Sequence, residues 1–463
     1  MQGRRTPWDA VLAIAISCSR LAFCLSWPDL LSLTSSASWC ILRSSIDCSL
    51  STLNRYTTPM RLAAILVLTS GLLAAQPLPL STPEKEGLSA ERIGRMHSVF
   101  DRLTKTQQRP AAITMLVRNG HIVDWKAFGS RDVEKKLPME KDTICHVYSM
   151  TKPITSVAVM MLVEEGKLTL SDRVDKFIPE FKEVKVYNGE TASGFDSRAP
   201  ERPMTVKHLL THTAGLSYGF GQTKIDERYQ AAKIFEVASL KEFIAKISAL
   251  PLASDPGEKY SYSAGIDVLG YLVEVVADMP FDRFVQQRIL DPLRMTDTHF
   301  VLPKEKQSRL AKIYAQSDGK LAAQPGLDTK GVPFGGMGLY STIGDYSRFA
   351  QMLLNGGHLD GARLLGRKTV ELMTMNHLVG LDQPNTGGDE SEGFGLGGAV
   401  RIDPARAGRP GSKGMFGWSG AASTYFRVDP KERMAILAFL QWFPYDSSTL
   451  NLFETLAYQS IVD

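Results

Sequence analysis

The stretch from Cys145 to Leu168, CHVYSMTKPITSVAVMMLVEEGKL, constrains this chain more than any other. Between Lys152 and Glu164 it carries no charge and its apolar residues follow a helical pattern, which predicts a helix buried inside a large domain and ended near Gly166. A hydroxyl and an amine stand at its head. Ser149 and Lys152 are three positions apart, and helical neighbours at that spacing share a face with Cβ atoms roughly 5–6 Å apart, so the amine can reach the serine oxygen and take its proton. The free N–H groups at a helix start favour negative charge developing beside that oxygen.

With 463 residues and 44% hydrophobic content, the chain has material for one large or two moderate globular domains. Its formal charge is +4, and much of that lies in residues 1–75, which have arginines but no lysine. The near-neutral remainder gives no electrostatic footprint for a nucleic acid. Cys18, Cys24, Cys40 and Cys48 precede residue 60 and Cys145 alone follows, so no internal disulfide is expected in the main domain. Cys145 reads as a small buried hydrophobe, not a second nucleophile, and belongs to no metal-ligand cluster. From Met60 the run MRLAAILVLTSGLLAAQPLPLS has the anatomy of a secretory leader over 60–75, which predicts a periplasmic or extracellular protein with no membrane span after cleavage. Residues 1–59 are Ser- and Cys-rich, lack Lys and Glu, and read as an upstream extension; a leader from Met1, where Arg4 and Arg5 precede Val11 to Ile16, is the alternative.

Ser89 followed by Ile93, Met96, Phe100 and Leu103 predicts a capped amphipathic helix. Ala112 to Val117 and Ile122 to Phe128 flank Asn119-Gly120, a strong hairpin signal. A second hairpin is expected from Ser423 to Val428 and Met434 to Gln441 around Asp429-Pro430-Lys431-Glu432, with a closing helix over Leu450 to Ile461. Between lies a mostly helical insertion, roughly 170–295, including Leu240 to Ile247 and Ile266 to Ala277. Strands at both ends with helices between predict an α/β (α+β) domain whose antiparallel sheet joins N- and C-terminal segments.

Two further segments carry chemistry. In DPGEKYSYSAGIDVLGYLVEVV, Tyr262 precedes a helical run and is the candidate second acid/base. Tyrosine and lysine both have reference pKa values near 10, so either needs a perturbed environment to accept a proton at neutral pH, and the letters leave open which one does. In GMFGWSGAASTYFRVDP, Trp418, Ser419 and Gly420 are the candidate substrate-binding residues before a strand, and the N–H groups of Ser149 and Ala421 form the expected oxyanion hole.

Three competing signals are weaker. Gly215-Leu216-Ser217-Tyr218-Gly219 matches a nucleophile elbow, but a helical MTVKHLLTHTA precedes it where that motif needs a strand. His208 and His212 are four apart without a glutamate or third ligand, so they predict no metal site. Asp345 and Arg348 read as capping and solvating a helix.

Taken together, SMTK, the Tyr262 segment, WSG and LLTHTAGL over Leu209 to Leu216 resemble the serine β-lactamase and penicillin-binding-protein superfamily, most closely its class C-like branch of family VIII carboxylesterases. The resemblance spans roughly 85–460. It implies a β-lactamase/transpeptidase-like fold, Ser149 as nucleophile, Lys152 and Tyr262 as its activators, a small ester as substrate and no cofactor. Two departures bear on the substrate. Ala264 stands where the family's YxN element has its amide, and Trp418 stands where KTG has its lysine. A lost charge-assisted bond of about 1.5–3 kcal/mol weakens binding of an anionic lactam by tenfold or more, while an indole offers an apolar wall to a neutral acyl or alcohol group. The expected activity is ester hydrolysis with short or medium acyl chains and weak lactam turnover. A β-lactamase, a D-alanyl-D-alanine carboxypeptidase, an acyltransferase, a Ser217 esterase and a non-catalytic penicillin-binding receptor are the alternatives, and oligomeric state stays open.

Overall fold

Asn119 and Gly120, both left-handed with φ of 53° and 83°, fold β1 (Ala111–Arg118) back onto β2 (His121–Asp132). That conformation matches the twist of a tight hairpin and is cheap for these two residues. The computed structural model describes residues 77–463 apart from 193, 382–384 and 387–388; the expected leader at 60–75 and extension at 1–59 lie outside the described residues. β3 (Leu137–Pro138) extends the hairpin on one side. On the other side come β4 (Glu392–Phe394), β5 (Ala399–Arg401), β6 (Phe416–Gly420), β7 (Thr424–Asp429) and β8 (Met434–Phe439).

The order is β4-β5-β6-β7-β8-β1-β2-β3, antiparallel throughout. β1 pairs with β8 from Ile113 opposite Phe439 to Arg118 opposite Met434, so the two ends of the domain share one ladder. Period-two alternation sends Ile113, Met115, Val117, Leu437 and Phe439 to one face and Ala112, Leu116, Ile436 and Ala438 to the other, and both sets are buried. The strands are apolar on both sides because helices cover both sides.

One cover is α1 (Ala90–Lys105) with the closing helix α5 (Ser447–Tyr458), which meet through Phe100 and Phe453. Ser89 caps α1 by accepting from Arg92 N–H. The opposite cover includes α2 (Thr151–Glu164), α3 (Gly265–Ala277) and α4 (Ile343–Leu354). α2 is buried from Thr151 through Leu162, as its unbroken apolar run requires, and Gly166 follows it with φ 67°.

The region 170–295 is more mixed than its letters predict. It holds helices over Val206–Leu210, Lys224–Ala232, Leu240–Ser248 and Phe281–Val285, but also an exposed hairpin of Val186–Thr191 with Gly194–Arg198. Asp345 and Arg348 are likewise not solvated. Asp345 accepts from Asp297 N–H and the Thr298 hydroxyl, burial pushes its carboxyl up to about 6, and buried Arg348 pairs with Asp360. Among the described residues no helix is long and apolar enough to cross a membrane.

Asp446 caps α5 through Thr449 N–H and ties it to Arg109 in the connection before β1. Burial alone raises this carboxyl, but hydrogen bonds from Ser448, Thr449 and Arg109 outweigh it and bring it down to about 2. A carboxyl depressed in the folded state stabilises above its unfolded pKa, near 4, and loses that contribution as pH falls toward 2. Urea titrations from pH 7 to pH 2 therefore show Asp446→Asn less stable than the parent at neutral pH, with the gap closing between about pH 4 and 2.

Candidate active site

Tyr148, Ser149 and Met150 form a 3-10 turn leading into α2, and Tyr148 holds a left-handed φ of 45° that costs a bulky residue energy. Surrounding bonds impose it. Thr151 Oγ1 donates to Tyr148 O at 2.7 Å, Tyr346 OH donates to Met150 O at 2.7 Å, and Thr424 Oγ1 on β7 donates to Val147 O at 3.2 Å. The serine is thus fixed between a helix head and the central sheet.

Lys152 Nζ donates to Ser149 Oγ at 3.0 Å and to Gly336 O at 2.7 Å, and Tyr262 OH donates to the same Ser149 oxygen at 2.7 Å. The three sequence-predicted groups converge on one atom. Lys152 is fully buried, and its amine lies 4.8 Å from the Tyr262 ring centre and 5.2 Å from that of Tyr218. Two aromatic faces thereby cover an amine that water does not reach.

Trp418 packs at 5.6 Å from Tyr262 and 5.1 Å from Phe394, as a wall beside the serine. Ser419 Oγ accepts from Tyr445 OH at 2.9 Å, and both residues line the same cavity as Ser149. Gly420 has a steric reason to be glycine: a Cβ there would lie 2.2 Å from Val147 O and 2.3 Å from Thr424 Oγ1. Ser149 and Ala421, on the two segments that Gly420 brings together, both line a cavity of about 730 Å³. Trp418, Tyr148, Leu327 and Met337 give it apolar walls, and Phe220, Phe443 and Tyr445 are exposed at its rim.

The competing motifs take structural places. Ser217 follows a short helix, its hydroxyl donates to Asp226 at 2.6 Å, and it does not line the cavity. His208 Nδ1 accepts from Thr205 N–H in a capping box. His212 is fully buried, its ring tilted against that of Tyr262 at 4.7 Å, and burial together with the Lys152 charge holds its imidazole well below the usual range. Ala264 is a buried helix cap. Cys145 is buried on a short strand, where desolvation pushes its thiol up and keeps it protonated. Among the described residues no acid or histidine group is arranged to hold a metal.

Residues that motif reading passed over complete the surroundings of the amine. Asp267, fully buried on α3, accepts from Tyr218 OH at 2.8 Å and from Gly336 N–H at 2.8 Å. Its signal was a lone carboxylate inside the apolar run GIDVLGYLV.

A family model described as Beta-lactamase matches residues 96–458. Monacolin J acid methylbutanoyltransferase of Aspergillus terreus is 30% identical over 390 residues, covering 77% of this chain and 92% of that protein. Esterase EstB of Burkholderia gladioli is 28% identical over 378 residues, covering 75% and 90%. Among solved structures, EstCE1, a hydrolase with promiscuous acyltransferase activity, aligns with a TM-score of 0.69 at 25% identity, covering 80% of this chain and 98% of that one.

The Gly420 contact is testable. Gly420→Ala forces the strand off the Ser149 turn, and a shift near 1 Å is enough to cost about 10²-fold in rate. Labelling of Ser149 by a fluorophosphonate, followed by intact-protein mass spectrometry, slows by roughly that factor while the circular dichroism spectrum stays native.

Proposed function

The chain belongs to the β-lactamase family of serine-hydrolase enzymes, and we propose that it hydrolyses carboxylic esters through an acyl-enzyme on Ser149. One observation carries the reading: Ser149 Oγ receives both the Lys152 amine at 3.0 Å and the Tyr262 hydroxyl at 2.7 Å beside an apolar cavity. In the reactive form the Lys152–Tyr262 pair lacks one proton and takes it from Ser149 as Oγ bonds to the ester carbonyl carbon. The developing oxyanion is received by the N–H groups of Ser149 and Ala421. The pair then returns the proton to the departing alkoxide, and water releases the acid by the same steps.

Trp418 and Ala264 favour a neutral substrate. An indole packed against Tyr262 and Phe394 offers apolar contact, and neither position supplies the cation or amide that would bind an anionic lactam. Acyl transfer to an alcohol is the second reading. The open aromatic rim of Phe220, Phe443 and Tyr445 favours it, as does similarity to a methylbutanoyltransferase. The two differ in whether water or an alcohol meets the acyl-enzyme. Export by a leader over 60–75 belongs to the same proposal, and N-terminal sequencing of the secreted mature protein checks it.

The test is a panel of p-nitrophenyl esters of graded acyl length beside a chromogenic cephalosporin. Short and medium esters are turned over at least tenfold faster than the cephalosporin, and comparable rates would refute the Trp418 argument. Ser149→Ala loses roughly 10³-fold or more in kcat with no phenol burst, whereas Ser217→Ala retains the burst. Adding a long-chain alcohol and measuring the ratio of ester to acid products separates transfer from hydrolysis.

A further inference from the structure

A lysine with no solvent exposure is costly to keep charged unless something nearby compensates it. The groups facing the Lys152 amine are the rings of Tyr218 and Tyr262, the neutral imidazole of His212 and the carboxylate of Asp267. Asp267 does not touch the amine. It reaches it through Gly336, whose N–H donates to Asp267 Oδ1 and whose carbonyl accepts from Lys152 Nζ, and through Tyr218, whose hydroxyl donates to Asp267 Oδ2 and whose ring covers the amine. Both carboxylate oxygens thus receive donors; burial raises the Asp267 carboxyl, and the Lys152 charge with these two donors acts against that rise, the setting of an acid held ionised.

The backbone is shaped to permit this. A Cβ at Gly336 would lie 2.3 Å from Asp267 Oδ2 and 2.7 Å from Tyr218 OH, and one at Gly335 would lie 2.6 Å from Ile266 O. Only a glycine pair fits between α3 and the amine. Thr155 Oγ1 on α2 donates to Gly335 O at 2.7 Å and fixes the pair from the other side.

We propose that Asp267 is a positioning residue for the reaction: a buried counter-charge that, through Gly336 and Tyr218, holds the Lys152 amine aimed at Ser149. This rests on the acyl-enzyme reading above. Burial and the neighbouring Asp267 charge push the Tyr218 phenol well above its usual range, so Tyr218 keeps its proton and remains a donor. In the step the Ser149 proton goes to the Lys152–Tyr262 pair, and the new bond is between Ser149 Oγ and the acyl carbon.

The experiment is the pH dependence of kcat/KM for p-nitrophenyl butyrate in the full chain, normalised to active sites titrated with a fluorophosphonate. Removing the negative charge in Asp267→Asn makes the Lys152–Tyr262 pair release its first proton more readily, so the acid-side midpoint moves down by about one pH unit. The plateau kcat falls about tenfold or more with KM within about twofold, and Asp267→Glu, which restores the charge, returns the midpoint to the parent value. An unmoved midpoint in Asp267→Asn overturns the inference, even where activity drops. If that variant yields no titratable sites, Tyr218→Phe decides: it keeps the ring and removes one donor that offsets the carboxylate charge, so the inference requires a small upward shift, an unchanged midpoint refuting it. Absence of any Ser149 adduct in the parent protein overturns the acyl-enzyme reading and this inference together, whereas an adduct with an unmoved midpoint overturns this inference alone.

Discussion

The contact of Gly420 with the Val147 carbonyl governs the geometry of the site. It seats the end of β6 against the turn that presents Ser149, with the Thr424 hydroxyl bonding the same carbonyl. The turn is strained at Tyr148, and strain of that kind persists only where neighbouring bonds leave no alternative. Those bonds come from α2, α4 and β7, three elements far apart in sequence. The β1–β8 ladder in turn sets the sheet from which β7 and β6 reach the turn.

The surroundings of the serine divide by polarity. On one side Lys152, Asp267, Tyr218 and Gly336 form a buried polar knot in which each named group has a partner. A knot of this sort is stable only when satisfied, because a stranded charge in a dry interior costs several kcal/mol. On the other side Trp418, Leu327 and Met337 form an apolar wall, and the two arginines that also line the cavity, Arg409 and Arg427, are paired with Glu392. In the proposed reaction, proton handling and substrate contact fall to different sides of Ser149.

How much of this was legible depended on the range over which each residue's partner lies. The Asn119-Gly120 hairpin, the Ser89 cap and the strands β7 and β8 follow from local turn chemistry and alternation, and they stand where the letters put them. Lys152 was visible because its partner is three residues away. Asp267 was not, since its partners are 49 and 69 residues distant. Asp345 and Arg348 misled for the same reason: a polar letter on an amphipathic helix reads as solvated until a distant segment buries it. The exposed hairpin after Val186 was hidden because its strands carry little apolar alternation to betray them. β4 and β5, of three residues each, are too short for periodicity to register.

The joining of both ends of the described domain in one sheet also fixes when the Ser149 turn can take its shape. Ser149 and Lys152 are synthesised early, yet the strands that clamp their turn close only after Phe439 has emerged and β8 has found β1. A growing polypeptide therefore carries Ser149 for most of its synthesis without the floor that shapes its turn. Long-range pairing of this kind is slow to form, so on the proposed function the serine gains its reactive setting only when that last strand locks in.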